Sequence, residues 1–227
     1  MTQVRQRNQV AAPEMGLDGS WRIGADVLLQ SVFEWEHSPE AVRWGLSGAF
    51  SWQERNETTV NRVLKSASLA PQFVAALLAL GAHVVAGEAE VSLADYLNRS
   101  SKVSGPLAIK IAPADGDRCC GHAAVSRTPA DRPIVAAVAC VSVRAGKVTK
   151  ARLGLTGVWT QPVGAAEAAE VLCGETLTDE AIGRVATAVE KEVRPCENFL
   201  GSSEYRRAMA GVLTRRALGE CLKGVSG

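Results

Sequence analysis

From Pro106 to Leu222 every strand signal precedes every helix signal, and that order constrains the fold more than any single residue. Pro106–Ile111, Gly121–Ser126, Ile134–Val143 and Val148–Thr156 are rich in Val, Ile and Ala, the composition of strands. Arg144-Ala145-Gly146-Lys147 supplies a hairpin turn between the last two. Three helices follow. One runs near Gly164–Leu172, soon after Pro162, and one near Asp179–Val193, after Thr178 as N-cap and before Pro195. The third covers Ser203–Leu222, where Tyr205, Met209, Val212, Leu213 and Leu218 form an apolar face at helical spacing. Strands first and helices afterwards predict an antiparallel sheet with helices packed on one face, an α+β arrangement.

The first half reads differently. Residues 1–16 are polar and aperiodic and are expected to be a disordered tail. Asp18-Gly19 marks a turn into the strand S-W-R-I-G-A-D-V. Leu28–Trp52 has helical tendency, with Ser38 as an N-cap and Pro39 at the first helical position. Gln72–Leu80 is a run of helix formers closed by Gly81, and the alternating His83-Val84-Val85 suits a strand over 82–86. A short strand near Ala89–Val91 leads to S-L-A-D-Y-L with Ser92 as N-cap. Asn98–Gly105 is polar and Ser/Gly-rich, the candidate linker between the halves.

Several stretches together resemble one family. Arg55 to Leu64 reads R-N-E-T-T-V-N-R-V-L, followed by A-A-L-L-A-L-G-A at Ala75–Ala82. This resembles the second flavin-binding motif of the medium subunits of molybdenum hydroxylases, the carbon monoxide and xanthine dehydrogenase family. Members typically read R-N-x-G-T-I-G-G-N-L-A there. The strand at 17–27 resembles the family's D-G-x-L-R-I-G-A-x-V. Val148–Pro162 and Gly201–Leu218 resemble its C-terminal domain, the latter as G-S-S-E-Y-R-R-A-M-A-G-V-L-T-R-R-A-L. The resemblance runs from Leu17 to Leu222. It implies a remnant of the second FAD-binding subdomain over 17–97, then a carbon monoxide dehydrogenase flavoprotein C-terminal-like domain over 106–222, its antiparallel sheet carrying a three-helix layer.

It also implies a flavin site at Arg55, Asn56, Thr59, Asn61 and Arg62, and there the pattern is altered. Asn61 and Arg62 stand where the family has a glycine pair, and Gln72 where it usually has Asp. Paired glycines let the backbone approach a pyrophosphate with bare N–H groups. Arg62 adds bulk there, unless it points outward or supplies a phosphate contact of its own. The family's first Gly-rich flavin loop, A-G-G-x-S/T-x-L, is not spelled in residues 1–16. The expectation is no tightly bound FAD, with FAD retained only if the altered motif still works.

Trp21, Trp35, Trp44 and Trp52 lie close in sequence, and Trp159 stands where the family usually has Ala. Such aromatics either patch a core or line an apolar ligand pocket. No nucleophile motif, P-loop or zinc-ligand spacing appears, so no catalytic residue and no metal site are assigned. His37, His83 and His122 are dispersed. The pairs Arg206-Arg207 and Arg215-Arg216 suit a solvated or interface stripe. Lys and Arg total 25 against 24 Asp and Glu, which gives no electrostatic case for nucleic acid or an anionic membrane. No apolar run matches a bilayer span or a signal peptide, so free thiols in a reducing cytoplasm are expected for the six cysteines.

Two function classes stay open. In one, the chain is a flavin-independent homologue that binds or converts a hydrophobic small molecule in biosynthesis, by cyclisation or isomerisation for example. In the other, it is the medium subunit of a molybdenum-containing oxidoreductase, an FAD electron relay or a scaffold beside molybdopterin and [2Fe–2S] subunits. A homo-oligomer is compatible with both. Fold alone does not decide between them.

Overall fold

A computed structural model describes residues 11–48, 50–98, 105–114, 116–128 and 131–226. The elements in chain order are β1 (Glu14–Met15), β2 (Trp21–Ile23), α1 (Leu29–Glu34), α2 (Glu40–Ser47), α3 (Trp52–Glu57), α4 (Val60–Lys65), α5 (Pro71–Ala79), β3 (His83–Ala86), β4 (Ala89–Ser92), α6 (Leu93–Leu97), β5 (Ala108–Ile111), β6 (Asp117–Val125), β7 (Val135–Arg144), β8 (Lys147–Thr156), β9 (Val163–Ala166), α7 (Asp179–Glu192) and α8 (Ser203–Ser226). Two antiparallel sheets form, ordered β1-β2-β5-β3-β4 and β6-β7-β8-β9. The α+β expectation holds.

The long strand β7 explains how the layers stack. Its first nine residues are buried on both faces, which is why the sequence reads as one apolar run rather than an alternation. Ala137, Ala139, Val141 and Val143 face a core shared with α7 and α8. Val138 and Cys140 join the other core, built around Phe73, Leu77 and the rest of α5. The two halves are therefore welded through α5, whose approach to β8 requires a glycine. A Cβ on Gly154 would lie 2.1 Å from the Ala75 carbonyl oxygen. On the opposite face Gly121 does the same for α8, with 2.1 Å to the carbonyl oxygen of Ala217.

Local signals were largely obeyed. Ser92 and Thr178 accept N–H bonds as N-caps of α6 and α7. Ala145 and Gly146 both have positive φ, as a two-residue type I′ turn between right-twisted strands demands.

The departures have physical reasons. Ala108–Ile111, expected in the second sheet, is instead the strand between β2 and β3, because Ile109 and Ile111 belong to the N-terminal core. The linker expected at Asn98–Gly105 falls mostly on 99–104, outside the described residues. Of the tail expected over 1–16, residues 1–10 also lie outside them, but Glu14 and Met15 pair with Arg22 and Trp21. Ser38 does not cap α2. Pro39 holds the N-cap position, and the Ser38 hydroxyl is buried without a partner. The helix expected at Gly164–Leu172 divides into β9 and a 3₁₀ turn at Glu167–Leu172, since β8 takes Val163–Ala166 as an edge strand. On α8 the buried face is rotated by about one residue. Arg206, Ala210, Leu213, Thr214, Ala217, Leu218 and Cys221 face inward, while Tyr205 and Val212 are exposed. The small residues Ala210 and Ala217 lie on that buried face, and Gly121 lets α8 approach β6 closely.

Free cysteines were expected throughout, but Cys120 is bonded to Cys140. The register of β6 and β7 sets them directly opposite, with Cα atoms 4.2 Å apart, a proximity that their spacing in sequence does not reveal. Burial, reinforced by neighbouring Cys119 and Glu220, pushes the Cys221 thiol up to about 12. At pH 8 Cys221 is therefore expected to resist alkylation until the chain unfolds, whereas the exposed Cys173 and Cys196 label at once. Peptide mapping after iodoacetamide treatment checks this, and modified Cys221 in native protein would contradict it.

Candidate functional site

The stretch carrying the flavin resemblance forms α3, the turn into α4, and α5. Ser51 begins α3 with a capping box to Glu54, and Thr59 caps α4 by accepting the Arg62 N–H. Arg55 is a packing clamp. Its Nε donates to Gln30 Oε1 at 2.8 Å and its Nη1 to the carbonyls of Phe50 (2.6 Å) and Leu46 (3.2 Å), while its guanidinium lies 4.5 Å from the Phe33 ring centroid. Asn56 donates back to the Trp52 carbonyl.

The turn itself is already filled by protein groups. The N–H of Val60 donates to Val27 O and that of Asn61 to Ala25 O, both at 3.0 Å. Those of Arg62 and Val63 go to Oγ1 and O of Thr59. Asn61 Oδ1 accepts the Leu107 N–H at 3.1 Å, which ties α4 to the approach of β5. Arg62 is exposed. As folded, the turn thus leaves no free N–H between Val60 and Val63, each being bonded to a protein oxygen. Gln72, in place of the usual Asp, is buried with its Oε1 unpartnered. Asn61→Ala is expected to lower stability by about 1 kcal/mol, the value of one hydrogen bond. Urea unfolding measures it, and an unchanged midpoint would show the Leu107 contact to be idle.

The five tryptophans do not meet in one pocket. Trp21 and Trp35 touch edge to face with centroids 5.3 Å apart, and Trp35 touches His37 at 5.4 Å. Trp44 lies 4.5 Å from the His122 ring. Trp52 is 67% exposed. Trp159 lies across the other sheet, its indole N–H buried without a partner and packed against Gly164. The three histidines are likewise apart, and no group of three or more His, Cys, Asp or Glu among the described residues could hold a metal. No described helix is long and apolar enough to cross a membrane. Arg206, expected on a solvated stripe, is 4% exposed and bonded to carbonyls of the sheet.

Two clefts remain. The larger, of 540 Å³, lies where the two halves meet, between the α5–β3 corner and α6 on one side and β8, β9 and the 3₁₀ turn on the other. Trp159 and Leu153 form part of its wall, with Arg152, His83, Asp95 and Glu192 as polar lining. Gln161 bridges it by donating to Asn98 Oδ1 at 2.9 Å, and the Glu192 carboxylate caps the 3₁₀ turn by accepting the N–H groups of Glu167 and Ala168. The smaller, of 450 Å³, is lined by Trp21, His37, Pro39, Glu40, Leu80 and Arg118 among others. Burial, and secondarily the nearby Arg152, lowers the Arg118 guanidinium from its ordinary value. Sequence reasoning missed Arg118 because it belongs to no motif, and gave no site role to Arg152, which lies within the Val148–Pro162 resemblance. Only the sheet register brings them to one face.

Comparison with known proteins gives a consistent family. Residues 122–221 match the family of the carbon monoxide dehydrogenase flavoprotein C-terminal domain. The carbon monoxide dehydrogenase medium chain of Afipia carboxidovorans is 35% identical over 94 residues, covering 41% of this chain and 33% of that one. The uncharacterized protein YgfM of Escherichia coli K12 is 27% identical over 205 residues, 90% of this chain and 74% of its own. Carbon monoxide dehydrogenase from Hydrogenophaga pseudoflava shares the fold, with a TM-score of 0.77 at 20% identity over 95% of this chain and 79% of that one. The matched segment thus spans a third of the first relative and about three quarters of the second. The chain is a homologue of the FAD-binding medium subunits of molybdenum hydroxylases, and its residues 122–221 belong to the carbon monoxide dehydrogenase flavoprotein C-terminal domain family.

Proposed function

We propose that this chain serves as the medium-subunit component of a molybdenum-containing oxidoreductase, seated beside molybdopterin and [2Fe–2S] subunits in the cytoplasm. The observation that carries the reading is the C-terminal domain match over 122–221, which spans most of β6 through α8. Of the two forms such a role can take, the closed Thr59–Val63 turn favours a scaffold over an FAD relay. FAD, where a medium subunit binds it, supplies two-electron to one-electron relay chemistry. Here Arg55, Asn56, Thr59 and Asn61 hold helices α1 to α4 and the start of β5 together instead.

Affinity purification of the tagged full chain from its source cells tests this, with molybdenum, iron and flavin measured in the eluate. Stoichiometric molybdenum and iron without flavin absorbance near 450 nm is the expected result. Stoichiometric flavin would restore the relay form, and a chain eluting alone without either metal would overturn the subunit reading.

A second reading has its own support. Trp21 and Trp159 each line a cleft of ligand size, which suits binding or non-redox conversion of a hydrophobic small molecule. Trp35, Trp44 and Trp52 have no place among the lining residues of either of these two clefts. Trp159→Ala or Trp21→Ala lowering turnover more than melting temperature, in a chain free of metals, would favour this class.

A further inference from the structure

We propose that the 450 Å³ cleft at the start of β2 is a binding site for a small aromatic carboxylate. Its volume lies in the range of ligand pockets, and its lining combines apolar surface from Trp21 and Leu80 with one cation, Arg118. The Trp21 ring is braced from behind by Trp35, and Trp35 by His37, so the aromatic wall is held in place before any ligand arrives.

Arg118 carries the chemistry. Its Nη2 donates to the carbonyls of Ala112 (3.3 Å) and Pro113 (3.0 Å), which fixes the guanidinium without neutralising it. No carboxylate among the described residues forms an ion pair with it, and its neighbouring charge is another cation, Arg152. A half-buried guanidinium with no counter-ion, lining a cavity, is electrostatically incomplete. A carboxylate completes it with parallel N–H···O bonds that match the planar fork. The body of the ligand then lies against Trp21 and Leu80. Exposed Glu40 at the same cleft sets the charge limit, since a dianion such as phosphate meets more repulsion there than a singly charged carboxylate. The site owes nothing to the vestigial flavin turn and stands under either functional reading.

Titration of the purified full chain with benzoate and with its neutral isostere benzamide, followed by tryptophan fluorescence and calorimetry, tests the proposal. Benzoate is expected to saturate and to bind roughly 10-fold or more tightly than benzamide, the size of a charge-assisted contact. Arg118→Gln should remove that difference. Glu40→Gln, at an exposed position that leaves the fold intact, should tighten benzoate about 2-fold to 3-fold by removing a like charge. It decides the matter if Arg118→Gln proves unstable. Benzoate binding no better than benzamide, undiminished preference in Arg118→Gln, or unchanged affinity in Glu40→Gln would each overturn the site. So would inorganic phosphate displacing benzoate with equal affinity, which would mark a simple oxyanion contact.

Discussion

Replacing Arg206 with methionine is expected to destabilise the chain by roughly 3–5 kcal/mol, the largest loss from any single polar side chain here. Arg206 is buried near the start of α8, and its guanidinium serves separate segments at once. Nη1 donates to Ile134 O (3.0 Å) and Gly157 O (2.8 Å), Nη2 to Asn198 Oδ1 (2.7 Å), and Nε to Gly201 O (3.4 Å). It thereby staples the entry to β7, the exit from β8 and the turn before α8. Methionine fills the space but leaves those acceptors dry. Arg206→Lys should recover only a minor part, because one ammonium cannot span four acceptors that a rigid fork reaches. Urea unfolding with an unchanged slope is the measurement. A loss below about 1 kcal/mol, or full rescue by lysine, would show that water reaches these carbonyls.

Gly154→Val is expected to abolish folding or to cost more than about 3 kcal/mol, through overpacking rather than lost bonds. The added Cβ would stand 2.1 Å from the Ala75 carbonyl oxygen, and that oxygen belongs to the backbone of the fully buried α5. Neither side can give. β8 is fixed between β7 and β9, and α5 between β8 and α2. Gly219→Ala is the matched control, because nothing lies within 4 Å of its Cβ position on α8. That change should raise stability by up to about 1 kcal/mol through helix propensity. Soluble yield and melting temperature of the two variants separate the effects, and a stable Gly154→Val protein would refute the close approach of α5 to β8.

The candidate site was only partly legible. The altered flavin residues were named from the chain, because Asn61 and Arg62 stand where the resemblance implies a glycine pair. The way they are used was not legible. That Asn61 holds Leu107 depends on β5 crossing into the first sheet, a pairing between residues far apart in sequence. Trp21, Trp35, Trp44 and Trp52, close in the chain, and the distant Trp159 were expected either to patch a core or to line an apolar pocket. Trp21 on β2 meets Trp35 just past α1, Trp44 on α2 meets His122, Trp52 at the start of α3 is exposed, and Trp159 lies beyond β8. Arg118, which the carboxylate proposal rests on, gave no signal at all. A lone arginine on a strand gains meaning only from what lies across from it.

What the sequence determined by itself is local in origin. Caps at Ser92 and Thr178 and the positive-φ turn at Ala145-Gly146 rest on interactions spanning a few residues, and the apolar run of β7 is written in its composition, so each could be read from the chain. Tertiary structure decided which faces meet. The periodicity of α8 allows either of two adjacent faces to turn inward, and contact with the sheet selects the one bearing Ala210 and Ala217 over the one bearing Tyr205 and Val212. The β6–β7 register, not cysteine spacing, joins Cys120 to Cys140. Ile109 and Ile111 make β5 a strand of the first sheet, because the core around α5 needs them and the second sheet does not. Such choices depend on the shape of a partner surface distant in the chain, and that surface exists only once the chain has folded.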